Sequence, residues 1–208
     1  GAISHAAQLL EESPKLDNED LRLTQIIHDH SNRMNKIIEN ILRLSKRTDT
    51  HPISMQLSSW LTDFKLDFCA STNTSDKQLH ISIYPIDTKV HIDPSHLQQI
   101  LFNLCQNALL HGKTAAHPNP VVTIKGGTIK SAATPYLDII DTGPGIDAGV
   151  SEKIFEPFFT TAQQGTGLGL YITRELCEYN QARLNYISVP TGGSCFRISF
   201  HNINRVAL

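Results

Sequence analysis

Asp141-Thr142-Gly143-Pro144-Gly145-Ile146 is the stretch that decides the fold of this 208-residue chain, and three other segments accompany it in a fixed order. These are Asn103-Leu104-Cys105-Gln106-Asn107-Ala108, Phe155-Glu156-Pro157-Phe158-Phe159 and Gly165-Thr166-Gly167-Leu168-Gly169-Leu170. Each segment alone is a weak signal. Together they supply an amide, a carboxylate, an aromatic segment and a glycine turn, which predicts a complete nucleotide site.

Asp141 follows an apolar stretch, 136–140, that is predicted to be a strand. A carboxylate there can accept a hydrogen bond from the exocyclic amino group of adenine, whereas guanine presents a keto group. Gly143 and Gly145 let the backbone pass close to a flat base, and Ile146 completes this part of the predicted site. The alternative is an ordinary Asx turn after the strand. Asp138, on the same strand, is expected to be solvated.

A long helix is predicted to begin at Asp93-Pro94 and to end near His111, because Asp93 is a good N-cap and proline suits the first helical position. Asn103 and Asn107 lie four residues apart and share one helix face. Both amides are predicted to contact the nucleotide, and the alternative for each is a bond to a neighbouring group or to the backbone. Asn107 is also the predicted catalytic residue, because its oxygen is predicted to bind Mg²⁺, which prefers oxygen ligands and bridges phosphates. His111 is either a donor to phosphate or a helix-end histidine favoured by the dipole.

The segment Gly165-Thr166-Gly167-Leu168-Gly169 opens another predicted helix. Backbone N–H groups at a helix N-terminus attract phosphate, and the glycines permit close approach, so all five residues are predicted phosphate contacts. The stretch between Gly145 and Gly165 is predicted to be a lid anchored by Phe155, Phe158 and Phe159, with Phe158 also near the nucleotide. A fixed aromatic loop is the alternative.

The first fifty residues are predicted to form two antiparallel helices, because Pro14 ends the first and a heptad pattern marks the second. The seam consists of Ile27, His30, Met34, Ile37, Ile41 and Leu44. A lone hairpin cannot bury this seam, so a second copy of the chain is the natural partner. After a linker at 49–52, residues 51–208 mix helices with mainly antiparallel strands. The predicted organisation is therefore a hairpin at 1–50 and an α+β domain at 51–208, built as a two-layer α/β sandwich.

Composition narrows the function further. The net charge of −2 argues against a nucleic-acid protein. No run of about 18 apolar residues is present, so no membrane contact is predicted. The four cysteines form no C-x-x-C pair and are expected to be buried free thiols, and the ten histidines show no metal-ligand spacing.

The four segments resemble the N, G1, F and G2 boxes of the sensor histidine kinases of two-component systems, in that order. These kinases belong to an ATPase superfamily, known as GHKL or Bergerat, that also contains gyrase, Hsp90 and MutL. The resemblance covers nearly the whole chain. The F box followed by Thr160-Thr161 is most similar to that of the nitrogen- and pilus-regulatory sensor kinases.

The resemblance implies a two-step reaction, in which ATP phosphorylates a histidine and the phosphoryl group then passes to an aspartate of a response-regulator receiver domain. By the same analogy Asn107 holds Mg²⁺, Asp141 reads adenine, and the loop from Gly165 to Gly169 cradles the phosphates. It also implies a homodimer through the hairpin and a cytoplasmic location, as part of a membrane-bound bacterial sensor.

One feature departs from the family pattern. Gly1-Ala2-Ile3 resembles the tail of the H box, so the chain is expected to begin just after the phosphoacceptor histidine, with a truncated hairpin and no acceptor of its own. Two other functions stay open. In the first, the chain is an ATPase or serine kinase of the same superfamily. In the second, it is a non-catalytic dimerisation module with a degenerate site.

Overall fold

The computed structural model describes residues 2–12, 16–45, 50–113, 118–129, 133–162, 165–190 and 192–201. The chain forms two compact units. One contains Gly1–Asp49 and Pro157–Leu168, and the other contains Thr50–Glu156 and Gly169–Leu208.

The first unit contains a helical hairpin of α1 (Ala2–Glu11) and α2 (Asn18–Ser45). Asp17 caps α2, because its Oδ1 accepts hydrogen bonds of 2.8 Å from the N–H groups of Glu19 and Asp20. Small residues lie where the two helices meet, since Ala7, Thr24 and Ser31 are all buried. Polar contact adds to this packing: Ser4 Oγ donates to Asn32 Oδ1 at 2.9 Å.

The predicted seam of α2 does not face α1. Ile27 is 48% exposed and Met34 is 49% exposed, whereas the buried positions of α2 are Thr24 and Ser31. The side chains of Ile41 and Leu44 lie outside the described residues. Ile27 and Met34 therefore form an exposed apolar stripe in the described part of the seam, whereas Ile37 is half-buried.

The second unit is a sheet covered by helices. Its elements are β1 (Ile53–Gln56), α3 (Leu57–Thr72), β2 (Leu79–Tyr84), β3 (Lys89–Ile92), α4 (Pro94–Gly112), β4 (Val122–Ile129), β5 (Thr134–Asp141), α5 (Gly169–Tyr179), β6 (Arg183–Ser188) and β7 (Ser194–Ser199). The main sheet has the order β2-β4-β5-β7-β6, and a small second sheet pairs β1 with β3. Among the strand pairs of the main sheet in the described residues, only β2–β4 is parallel. This confirms the two-layer α/β sandwich predicted from the sequence.

The core lies between the main sheet and its helices. Leu137 and Ile139 of β5 are buried, and they alternate with residues on the other face of the strand. The helices contribute apolar faces to the same core, which contains Leu61, Phe64 and Phe68 of α3 and Leu97, Ile100, Leu101 and Leu104 of α4. Because Asp141 continues the series 137, 139, 141, its side chain belongs to the helix-covered face of β5.

Asp138 points to the opposite face, yet it is buried rather than solvated as the sequence had indicated. Arg197 lies beside it in the β5–β7 register and donates Nε–H and Nη2–H to its two carboxylate oxygens, both at 2.7 Å. The Arg197 guanidinium also lies 4.8 Å from the centre of the Tyr136 ring. A cross-strand partner thus covers the carboxylate, which the spacing within one strand could not predict.

The four cysteines were expected to be buried free thiols. Cys105, Cys177 and Cys195 are buried free thiols as predicted, and burial raises the pKa of Cys195 to about 11 and that of Cys177 to about 12. Cys69 is only half-buried.

Helix α5 begins at Gly169, slightly later than the sequence indicated, and the short strand β1 was not predicted. None of the helices in the described part of the chain is long and apolar enough to cross a membrane.

Candidate functional site

Among the described residues, Asp141 is held at the end of β5 by hydrogen bonds to only one of its two carboxylate oxygens. It is 7% exposed. Its Oδ1 accepts from the Gly143 N–H at 2.8 Å and from the Ser194 N–H at 3.1 Å. Both hydrogen bonds from described residues end on Oδ1, which leaves Oδ2 available to an external donor. The Asx turn considered as an alternative is therefore present, and it orients the carboxylate.

Glycines surround this carboxylate for steric reasons. A Cβ at Gly143 would lie 2.9 Å from the Gly112 Cα, so the turn after β5 packs against the end of α4. Gly193 has φ +91°, and a Cβ there would collide with the Asp141 carbonyl oxygen. Gly145, at φ +83°, lies against the Gly193 carbonyl in the same way. Side chains at these positions would displace the carboxylate or the chain next to it.

Ile146 is fixed by a residue from the edge of the sheet. The Tyr186 hydroxyl on β6 accepts a hydrogen bond from the Ile146 N–H at 3.2 Å. Tyr186 in turn packs on Phe196 of β7, with ring centres 5.6 Å apart. The end of the turn is therefore tied to the sheet on which Asp141 lies.

Asn103 and Asn107 share one face of α4, as predicted, and both lie beside the start of α5. Asn103 Nδ2 donates to the Gly169 carbonyl and to Thr173 Oγ1, each at 3.4 Å. A Cβ built on Gly169 would lie 3.9 Å from Asn107 Nδ2. Asn103 therefore makes the helix-to-backbone contact that was one of its two predicted roles. The half-buried Asn107 amide makes no hydrogen bond to any described residue.

His111 occupies the last turn of α4 and is exposed. Its carbonyl oxygen would lie 3.0 Å from a Cβ at Gly143, so its backbone adjoins the turn that follows Asp141. The structure thus brings together the end of α4 and the turn 141–145, and both roles considered for the imidazole stay open.

In the other unit, a backbone hydrogen bond joins Phe158, within the predicted lid, to Gly167 of the glycine loop. The Phe158 N–H donates to the Gly167 carbonyl at 2.9 Å. Gly167 has φ +68°, and a Cβ there would lie 2.7 Å from the Phe158 Cα. Glycine is therefore required at 167 both for its backbone conformation and for its close approach to Phe158.

The glycine loop has further internal contacts. The Gly165 N–H donates to the Ala162 carbonyl at 3.1 Å, and a Cβ at Gly165 would collide with Thr160 Oγ1. The Leu168 N–H donates to Thr166 Oγ1 at 3.4 Å. These contacts bend the chain just before α5 begins at Gly169.

The aromatic residues of the lid differ in their surroundings. Phe155 packs edge-on against the buried Phe196, with ring centres 6.3 Å apart, so it contacts the core as predicted. Phe158 is 61% exposed and has φ +69°, so its ring is not buried as the anchoring role requires. Its pairing with Gly167 fixes its backbone without covering its ring.

The residues present fit a magnesium ion that takes most of its ligands from a nucleotide. Among the described residues, no cluster of three or more His, Cys, Asp or Glu side chains could hold a metal ion. Asn107, by contrast, has an amide without a hydrogen bond to a described residue. Mg²⁺ commonly takes one or two protein ligands and completes its shell with phosphate oxygens and water.

Sequence reasoning did not single out Ser194, Gly193 or Tyr186 as site residues. They lie more than forty positions from the Asp141 turn and reach it only because β7 pairs with β5 and β6 with β7. The Gly192-Gly193 pair was the available signal, since adjacent glycines mark a backbone that needs left-handed φ or close contact.

Two family models match the chain. Residues 1–50 match the His Kinase A (phospho-acceptor) domain, and residues 92–203 match the histidine kinase-, DNA gyrase B-, and HSP90-like ATPase. The second match alone covers more than half of the chain.

Two known sensor kinases are similar to this chain over nearly its whole length. Sensor protein kinase PilS of Pseudomonas aeruginosa is 48% identical over 200 residues, which is 96% of this chain and 37% of PilS. Sensor histidine kinase ZraS of Escherichia coli K12 is 26% identical over 95% of this chain and 41% of ZraS. The chain thus spans about two fifths of the length of these relatives.

The fold is shared with solved structures. The histidine kinase ThkA, in a crystal structure with the response regulator protein TrrA, matches with a TM-score of 0.67 and 22% identity, over 96% of this chain and 56% of ThkA. At this identity the match supports the fold alone. The order of the four motifs, the two family models and the PilS similarity agree, and the chain belongs to the sensor histidine kinases, with a phospho-acceptor-type hairpin and a GHKL-type ATPase domain.

Proposed function

We propose that the chain binds Mg-ATP and transfers the γ-phosphoryl group to a histidine, from which it passes to an aspartate of a response-regulator receiver domain. The chain belongs to a family of kinases with an ATPase domain. The proposal assigns the nucleotide, the metal and the transfer steps to particular residues of this chain. It also keeps the predicted division into a hairpin at 1–50 and a catalytic domain at 51–208.

The observation that carries the proposal is the one-sided bonding of Asp141. Two backbone N–H groups hold Oδ1, at 2.8 and 3.1 Å, while Oδ2 has no donor among the described residues. The 6-amino group of adenine is a donor of the kind that Oδ2 requires. A carboxylate fixed before the ligand arrives loses little conformational entropy on binding, which favours this contact.

Asn107 is the residue that we assign to the metal. Its amide lies on α4 beside the start of α5, is half-buried, and makes no hydrogen bond to a described residue. When bound, Mg²⁺ would neutralise charge on the phosphates and orient them for transfer. Asn103 would keep Asn107 in place by bonding α4 to Gly169 and Thr173.

The glycine loop from Gly165 to Gly169 would receive the phosphates through its backbone N–H groups, which lie at the start of a helix. Gly143, Gly145 and Ile146 would line the base, and His111 and Phe158 are the remaining predicted contacts. Phosphoryl transfer has a loose transition state, so positioning and charge neutralisation supply most of the catalysis. These residues position the nucleotide and need not form a covalent intermediate.

Two partners follow from the proposal. A second copy of the chain would cover the exposed stripe of α2 that includes Ile27 and Met34. A receiver domain would accept the phosphoryl group, in keeping with the complex of ThkA with TrrA. For the whole protein we propose a membrane-bound bacterial sensor, with this part of it in the cytoplasm.

A transfer assay tests the proposal. The chain is incubated with γ-labelled ATP, Mg²⁺ and a separately supplied H-box helix of a sensor histidine kinase, and acid-labile label on that helix is measured. We expect labelling that requires Mg²⁺ and is lost in Asp141→Asn. Release of free phosphate without labelled helix would favour a simple ATPase, and an absence of nucleotide binding would favour a non-catalytic dimerisation module.

A further inference from the structure

A buried polar junction lies where α4 begins and α5 ends. This end of the helix pair is remote from the nucleotide site. Asn180 directly follows α5, and Asp93 directly precedes α4. Asn180 Oδ1 accepts a hydrogen bond from the Asp93 N–H at 2.9 Å. Asn180 Nδ2 donates to the Leu176 carbonyl at 2.7 Å and lies 2.9 Å from His96 Nδ1. The oxygen and both amide hydrogens of this buried side chain therefore have partners.

The Asp93 carboxylate makes the α4 side of the junction rigid. Its Oδ1 accepts from Ser95 N–H at 2.8 Å, Ser95 Oγ–H at 2.7 Å and His96 N–H at 3.4 Å, so it caps α4. Its Oδ2 accepts from the His51 N–H at 2.8 Å. One carboxylate thus joins the start of α4 to the start of the second unit, and the Asp93 N–H presented to Asn180 is firmly placed.

The two helices run antiparallel, and polar side chains link them at two places. At one place Asn180 bonds to Asp93 and His96, and at the other Asn103 bonds to Gly169 and Thr173. Between these places the buried side chains carry no hydrogen-bonded polar group, namely Leu97, Ile100 and Leu101 on α4 and Leu176 and Cys177 on α5. Apolar contacts are non-directional, so they resist a slide of one helix along the other less than hydrogen bonds do.

We propose that Asn180 is a positioning residue of the nucleotide site, because its bond to α4 fixes the register of α4 against α5 and thereby keeps Asn107 beside Gly169. The inference rests on the proposed function, in which Asn107 holds the metal and Gly169 belongs to the phosphate loop. Position 107 lies fourteen residue steps after position 93, which is about 21 Å at the helical rise of 1.5 Å per residue. Asn180 therefore acts on the metal ligand through the two helices and touches neither nucleotide nor metal.

The test compares the parent chain with Asn180→Ala. The measured quantity is the affinity for the ATP analogue AMPPNP, by calorimetry, in excess Mg²⁺ and in EDTA. We expect the gain in affinity that Mg²⁺ produces to fall about three- to tenfold in Asn180→Ala, because a buried amide that bonds the helices is lost. The affinity in EDTA should stay within about twofold of the parent, since Asp141 lies on β5 and not on the two helices.

Two further variants make the result decisive. Asn185→Ala removes an exposed amide from β6, outside both helices, and should behave as the parent does. Asn180→Gln keeps the amide but places it one methylene further out, so it should also reduce the Mg²⁺ gain. This second variant decides the question if Asn180→Ala does not fold, as judged by circular dichroism.

An Mg²⁺ gain equal to that of the parent in both Asn180 variants would overturn the inference and leave the proposed function intact. An equal loss of affinity with and without Mg²⁺ would also overturn it, because Asn180 would then support the domain as a whole. If the parent itself binds no nucleotide, the proposed function fails first, and the two failures are thus distinguished.

Discussion

The Phe158 backbone N–H donates to the Gly167 carbonyl at 2.9 Å, so the two ends of the intervening segment meet. Gly167 has φ +68°, and a Cβ there would lie 2.7 Å from the Phe158 Cα. A hydrogen bond and a close backbone contact therefore join Phe158 of the F box to Gly167, the middle glycine of the glycine loop. We call this contact the Phe158–Gly167 closure.

Gly167→Ala should open this closure. The left-handed conformation costs a non-glycine residue about 1–2 kcal/mol, and the collision with Phe158 adds to that cost. We expect faster limited proteolysis between 158 and 167 and weaker AMPPNP binding. Gly149→Ala is the control, because a Cβ at that position would meet only the Asp147 side chain. Equal cleavage rates in parent and Gly167→Ala would contradict the prediction.

Asp141→Asn should weaken ATP binding by about 1.5–3 kcal/mol, the range for a hydrogen bond to a charged group. The amide oxygen can still accept from Gly143 and Ser194, but an amide hydrogen replaces the Oδ2 lone pairs that adenine would use. Calorimetry measures the change. Asp147→Asn is a matched control, since Asp147 Oδ1 accepts from the Gly149 N–H at 2.7 Å in an exposed turn of the same kind. Unchanged affinity in Asp141→Asn would reject the adenine contact.

Asn107→Ala should remove most of the Mg²⁺ dependence of nucleotide binding, because its amide oxygen is the proposed metal ligand. Affinity in EDTA should change little. Asn103→Ala should instead lower the free energy of unfolding by about 1 kcal/mol, since Asn103 bonds α4 to Gly169 and Thr173. A similar Mg²⁺ effect in Asn107→Ala and the parent would exclude the metal role.

Replacing the exposed α2 stripe with charge should abolish the proposed homodimer. Ile27→Asp and Met34→Asp each introduce a carboxylate at a position whose side chain is about half exposed in the single chain. The hairpin itself should therefore tolerate them. Light scattering after gel filtration should show a dimer for the parent and a monomer for the variants. Leu66→Asp, at an exposed apolar position of α3, should stay dimeric. A monomeric parent would refute the predicted dimer.

Acid should destabilise the chain partly through Asp93. Burial opposes ionisation of this carboxyl, but hydrogen bonds from Ser95 and His51 outweigh it and lower the pKa from 3.8 to about 2. The stabilisation is present above pH 4 and disappears as the pH falls from 4 to 2, since a lowered folded-state pKa favours the ionised form. It amounts to about 2 kcal/mol.

Asp93→Asn keeps an Oδ1 acceptor for the α4 cap but cannot titrate. Denaturant unfolding at pH 2, 4 and 7 should therefore show a smaller loss of stability between pH 4 and 2 in this variant than in the parent. Parallel pH profiles would show that Asp93 does not contribute. The His51 amide should also exchange its hydrogen faster in the variant, because an amide donor replaces its acceptor.

The sequence by itself determined the family, the two-layer architecture and the main site candidates, because these depend on local features. A strand ending in Asp141, two asparagines four residues apart and a glycine run before a helix can all be read within short windows. The expected register of Asn103 with Asn107 on one face of α4 agrees with the structure for the same reason.

Only the tertiary structure decided which side chains meet across distant segments. The pairing of β7 with β5 brings Ser194 to Asp141 and covers Asp138 with Arg197, and the antiparallel packing of α4 on α5 brings Asn180 to Asp93. It also decided that Ile27 and Met34 of the α2 seam are left exposed and that Phe158 stays exposed. These outcomes depend on contacts between residues far apart in sequence, which local periodicity does not encode.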